Sequence, residues 1–184
     1  MTRPEFKEQK FKELILHIAR KCEADKYYGA TKLNKILFYS DFLAYKFFGR
    51  PITGADYFAL PHGPAPRLMV PIKEEMSSDS DIVENRRYSQ HRIVALRDPN
   101  YDDFSAKEIA LVDWLIDILR ESDAEFVSEL SHLFLGWQAA MAEGQMTDER
   151  VSIPYETVFV KNPAIDEYEE AYGLELAKKH GWST

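Results

Sequence analysis

The chain is poor in cysteine, in positive charge and in long apolar runs, and each shortage removes a class of protein. Cys22 is the only cysteine, so no internal disulfide can staple the fold, and a reducing compartment is expected. The first ten residues are charged and lack the apolar stretch of a secretory leader. No run of about 18 apolar residues occurs, so no membrane-spanning helix and no membrane partner are expected. These features together predict a cytoplasmic protein. Lys and Arg number 23 against 31 Asp and Glu, a formal net charge of −8. Nucleic acid is disfavoured as a main partner, because phosphate neutralisation supplies most of the affinity of a nucleic-acid binder. A neutral or basic protein partner suits the charge better, although the same charge also serves plain solubility.

Catalytic signatures are missing too. The sequence holds no phosphate-binding Gly-x-x-x-x-Gly-Lys, no Gly-x-Ser-x-Gly elbow, no His-Glu-x-x-His, no dinucleotide fingerprint and no acidic metal loop. The nearest approach to a nucleophile array is Ser128, Ser131 and His132 beside Glu129, with Ser128 and His132 four residues apart on a helix. His62 stands alone among prolines, with no second ligand at metal spacing. No catalytic residue, cofactor or metal is expected, and binding is the better class.

What is present is a folded composition, 45% hydrophobic and 13% aromatic over 184 residues, enough for one core. The organising stretch runs from Thr31 to Pro66. A helix capped by Thr31 and stopped by Gly49 carries Leu33, Ile36, Leu37, Leu43, Ala44, Phe47 and Phe48 on one arc, with Ser40 the only polar intruder. The opposite arc holds Phe38, Tyr39, Phe42 and Tyr45 among Asn34, Lys35, Asp41 and Lys46. Either a second layer of the domain covers these aromatics or they form a partner-binding patch. A turn through Pro51 and Gly54 leads to a short strand, Ala55 to Leu60, and then to a stiff loop from Pro61 to Pro66.

Around this unit, Phe11, Leu14, Ile15, Ile18, Ala19 and Cys22 predict a surface helix from about Glu5 to Asp25, packed by one face. Cys22 continues that stripe and reads as a core residue. A helix from about Arg67 to Met76 is followed by a hairpin, Ile82 to Tyr88 and His91 to Leu96, turning at Ser89-Gln90. The hairpin gathers Arg86, Arg87, His91, Arg92 and Arg97, either as a solvated surface or as a docking site for an acidic surface or for RNA. Ser105 with Glu108 and Ser122 with Glu125 predict two capped helices forming a helical hairpin. The first buries Ile109, Val112, Leu115, Ile116 and Leu119, and the second buries Phe126, Val127, Leu130, Leu133 and Phe134. Ile153 to Val160 reads as a bend leading into a strand, and Asn162 and Pro163 open a last helix. There is no internal repeat. The fold class is mainly α, of α+β type: a compact helical domain with a small antiparallel β element, one short strand plus the hairpin. Residues 1–184 form a single domain in this reading, with 161–184 a C-terminal helical extension.

Lys32-Leu33-Asn34-Lys35-Ile36-Leu37-Phe38-Tyr39-Ser40-Asp41, Gly49-Arg50-Pro51-Ile52-Thr53-Gly54, Tyr57 and His62-Gly63-Pro64 together resemble the signature of the Panacea domain, the SocA-like antitoxin family. Glu129-Leu130-Ser131-His132, Gly136-Trp137 and Ile153-Pro154-Tyr155 are similar to the second half of that family in the same order, whereas the tail from Lys161 matches no family pattern. The resemblance implies a mainly helical domain acting as the antitoxin of a bacterial or prophage type II pair. Such an antitoxin neutralises a cognate protein toxin by direct contact and, in part of the family, delivers it to the ClpXP protease. Candidate toxin-binding residues are Tyr39, Asp41, Tyr45, Tyr57, His62, Arg86, Arg87 and Arg92. The alternative is a small hydrolase or transferase using His62 or His132.

Overall fold

The computed structural model describes residues 4–87, 90–163 and 165–182, with Arg87 described by its backbone alone. The described elements run α1 (Glu8–Lys21), α2 (Ala30–Phe48), β1 (Tyr57–Leu60), β2 (Gly63–Pro66), α3 (Met69–Ser78), β3 (Ile82–Arg87) and β4 (Gln90–Ala95). They continue through α4 (Ala106–Leu119), α5 (Ala124–His132), α6 (Leu135–Thr147), a 3-10 helix (Tyr155–Phe159) and α7 (Glu167–Lys179). The protein is mainly helical with two small antiparallel sheets, β1-β2 and β3-β4.

Helix α2 is the centre, touched by α1, α4, α5, β2, β4 and the 3-10 helix. It ends as expected at Gly49, whose φ of 72° only glycine adopts freely. Its start differs, because Gly29 occupies the cap and no side chain, that of Thr31 included, accepts a capping bond. Both arcs are covered. Phe38 and Phe42 are wholly buried, meeting Tyr57, Phe134 and, for Phe42, Tyr155 at ring separations of 4.6–5.8 Å. The outer aromatic arc therefore has its second layer, and it is not an exposed patch.

Helix α1 departs from expectation, since it is buried all round from Lys10 to Ala19. Its polar face meets ion partners instead of water. Lys10 bonds Glu108 at 2.9 Å, Lys12 bonds Glu8 and Glu75, Glu13 receives Arg97 and the Asn100 amide, and His17 lies between Tyr101 and Asp113. Buried charges are tolerated where each is paired in this way.

The Pro-Gly segment is also more ordered than a loop. Gly63–Pro66 pairs with β1 in register Tyr57↔Pro66 to Leu60↔Gly63, so Pro61 and His62 form a two-residue turn. Pro64 and Pro66 fit because β2 is the edge strand of the pair, where missing amides cost nothing. Helix α3 begins at Met69, two residues later than expected, and Pro71 falls in its first turn, where no intrahelical donor is needed. The β3-β4 hairpin forms in register Ile82↔Ala95 to Arg87↔Gln90, and the expected turn residues 88–89 lie outside the described residues.

In the second half, the Ser105–Glu108 capping box is present. Helix α5, however, is capped by Asp123, whose carboxylate accepts from the Phe126 amide at 2.9 Å, and not by Ser122. Helices α4 and α5 pack chiefly on α2, so the expected helical hairpin is replaced by two helices leaning on a third. Helix α6 was not anticipated. Tyr155–Phe159 coils instead of extending, because Thr157 donates both its amide (3.1 Å) and its hydroxyl (2.6 Å) to the Pro154 carbonyl. The extended part lies just before it, where residues 151–153 bond along β1. Beyond α7, Trp182 is buried against Phe47, Trp114 and His180.

Candidate functional site

Two buried polar latches fix the region around α2. In the first, Lys35, 2% exposed, donates its ammonium to the carbonyls of His62 (2.6 Å) and Pro64 (3.1 Å). Among the described residues no carboxylate pairs with it, and burial alone pulls its pKa down to about 8. Gly63 lies beneath this amine with a φ of 92°, and a Cβ there would meet Ser131 Oγ, Lys35 Cε and Lys35 Nζ. The His62 carbonyl also accepts from Ser128 Oγ at 2.7 Å, which ties the β1-β2 turn to α5.

In the second latch, the buried carboxylate of Asp41 accepts from the Thr53 amide (2.7 Å), the Thr53 hydroxyl (2.5 Å), Tyr57 (2.8 Å) and Tyr155 (3.4 Å). Burial pushes the Asp41 carboxyl up, against the pull of those hydrogen bonds, and burial beside Asp41 raises the Tyr57 phenol. Lys32 forms a third inward contact, to Asp25 (2.6 Å) and the Arg120 carbonyl (3.1 Å). The signature residues Lys32, Lys35, Asp41, Thr53 and Tyr57 thus point inward and join α2 to the segments before and after it.

The eight residues expected to face a partner do not form one surface. Asp41 and Tyr57 are wholly buried and present nothing outward in this structure. Tyr39 is half-buried, and burial raises its phenol. Tyr45 is half-buried between Tyr155 and Phe159, with its hydroxyl 3.4 Å from Glu156. His62 is exposed at the β1-β2 turn, and Arg86 is exposed on β3. The side chain of Arg87 lies outside the described residues. Arg92 is buried, donating to the carbonyls of Cys22, Glu23 and Asp25 at 2.9–3.4 Å and so closing the C-terminal end of α1.

The expected basic cluster is dispersed by these contacts. Arg97 joins Glu13 and Asp81, and His91 joins Glu84. Arg92 is set apart from exposed His91 by the carbonyls at the end of α1 that hold its guanidinium.

The Ser128, Ser131 and His132 array is not assembled as a nucleophile and base. Ser128 Oγ donates to His62 O, Ser131 Oγ donates to Ser128 O at 2.6 Å, and the His132 ring stacks on Trp137 at 4.1 Å. Among the described residues no group of three His, Cys, Asp or Glu side chains could hold a metal ion. Nor is any helix among them long and apolar enough to cross a membrane.

One outward feature was misplaced by sequence reasoning. Phe126, Leu130 and Leu133, expected in the core, are 53%, 37% and 60% exposed. Helix α5 instead buries Val127 and Ser131. Their shared spacing betrays a stripe, but periodicity does not say which side of a helix faces the protein.

Fold and latches define a mainly helical module built around an aromatic helix and braced by buried polar contacts. The sequence profile of the antitoxin SocA-like Panacea domain matches residues 33–138. With more than half of its length matched, the chain belongs to this family. No curated protein and no solved structure matches it significantly.

Proposed function

We propose that the protein is the antitoxin of a bacterial or prophage toxin–antitoxin pair, neutralising a cognate protein toxin in the cytoplasm by direct contact. The match to the SocA-like antitoxin family over residues 33–138 carries this reading. The inward signature supports it: Lys35, Asp41 and Tyr57 hold the scaffold, which leaves the outer groups for recognition. Of the candidate contact residues, His62, Arg86 and the half-buried Tyr39 and Tyr45 reach the surface, while Asp41, Tyr57 and Arg92 act from within by fixing the backbone they bond.

Co-expression with the product of the adjoining reading frame is the test. That product should arrest growth alone and be tolerated when this protein is present. A harmless product, or toxicity that persists beside this protein, refutes the reading. Delivery of the toxin to ClpXP is a further form of the same proposal, and it requires that the toxin's half-life fall when this protein is added in cells that contain the protease.

A further inference from the structure

We propose that the exposed row of Phe126, Leu130 and Leu133 on α5 is a docking surface for an amphipathic helix of the partner, one whose apolar face is flanked by Lys or Arg. The partner's identity as a toxin rests on the antitoxin reading; the surface and the chemistry it selects do not.

The three residues stand at i, i+4 and i+7 of a helix and so form one row about 10 Å long, the length of two helical turns. Single exposed apolar residues are ordinary on a protein surface. Here three of them stand in a row on one nine-residue helix and its C-terminal cap, Leu133, with exposures of 53%, 37% and 60%. The fold does not use this row, since Val127 and Ser131, both wholly buried, seat α5.

Charge states which helix fits. At about 100° per residue, Glu129 and Glu125 fall side by side along one edge of the row. Both are exposed, and neither joins an ion pair among the described residues. An acidic edge on a chain of net charge −8 favours a partner helix with basic flanks and disfavours an acidic one. Apolar anchors at i, i+3 or i+4, and i+7 are the pattern by which an amphipathic helix seats on such a row. Helix α5 is also held at its middle and at its C-terminal cap, by Ser128 Oγ on His62 O (2.7 Å) and by Asn162 Nδ2 on Leu133 O (3.1 Å). A surface fixed in this way loses little freedom when it binds.

The probe is a fluorescent amphipathic Leu/Lys helical peptide with a scrambled peptide of the same composition, read by anisotropy against the whole protein, Leu130→Ser/Leu133→Ser, and Glu125→Lys/Glu129→Lys. The patterned peptide should bind the wild-type protein at least about tenfold more tightly than the scrambled one, and each double variant should lose about tenfold or more. Both pairs are surface changes, so thermal midpoints should stay within about 2 °C of wild type. Should the serine pair fail to fold, the charge-reversed pair, which alters only exposed carboxylates, decides the question. Equal binding of the patterned peptide to wild type and folded variants overturns the surface, as does equal binding of patterned and scrambled peptides. In the co-expression assay, relief of toxicity by wild type and by both variants alike overturns the surface while the antitoxin reading stands. Failure of wild type itself to relieve toxicity overturns the antitoxin reading, and the peptide result then stands by itself.

Discussion

Wild-type stability relative to Lys35→Met is expected to rise by about 2 kcal/mol between about pH 7 and pH 9.5. Lys35 is buried against two carbonyls with no carboxylate partner, and its folded pKa is about 8. In the unfolded chain the same amine titrates near 10.4. Between those two values the unfolded state holds a proton that the folded state has released, so raising the pH favours folding. Below the folded pKa the effect vanishes, because both states are protonated. Near pH 9.5 the folded amine is almost wholly neutral while the unfolded one is still largely charged, which gives the figure of about 2 kcal/mol.

Wild type alone is a poor readout. Burial pushes the Cys22 thiol up to about 12, so that group removes stability as the pH rises past the unfolded thiol value. Tyr28, Tyr39 and Tyr57, raised by burial, act in the same direction at still higher pH. These groups are common to both proteins and cancel in the difference. Thermal melts followed by circular dichroism at several pH values should show the gap in midpoint widening by about 4–8 °C. A gap that stays constant from about pH 7 to 9.5 would refute the picture of a charged amine held without a counter-ion.

Gly63→Ala combines a φ of 92° with a methyl group set against Lys35 Nζ and Ser131 Oγ, and should lose about 3 kcal/mol in urea unfolding. Asp41→Ala leaves the Thr53 amide and the Tyr57 hydroxyl without their carboxylate and should lose about 3–5 kcal/mol, whereas Asp41→Asn, which keeps one acceptor oxygen, should lose less in the same denaturation assay. Arg92→Met leaves the carbonyls of Glu23 and Asp25 without their guanidinium, and about 2 kcal/mol of stability together with faster amide exchange at the end of α1 is the expected result.

Local rules located what local forces decide. Gly49 ends α2 because its conformation suits glycine, and Ser105 with Glu108 opens α4 because both partners of that box lie within one turn. Distant partners escaped the same reasoning. Periodicity sends the polar face of α1 to water because most of its partners are remote in sequence: Glu108 lies 98 residues from Lys10 and Asp113 lies 96 from His17. Arg92 reads from the sequence like its exposed neighbours because its acceptors lie 67–70 residues away across the fold. Lys35 reads as a residue of an outer face, since the carbonyls that hold it belong to backbone, which carries no residue-type signal. In α5 the inner side includes Ser131, a polar residue with a local hydrogen bond, so the apolar row drew the inward assignment instead.

The cover over α2 also sets an order of events during synthesis. Asp41 leaves the ribosome 114 residues ahead of Tyr155, which closes over it, and Phe38 and Phe42 emerge well before Phe134. For that interval the outer arc of α2 is naked, and the nascent chain depends on late residues to hide early ones. A fragment trimmed to the matched segment 33–138 would make that interval permanent, having lost both α1 and the Tyr155 ring that stacks on Phe42 at 4.6 Å. Such a fragment should collect in the insoluble fraction, so the boundaries useful for expressing this domain lie outside the boundaries by which its family is recognised.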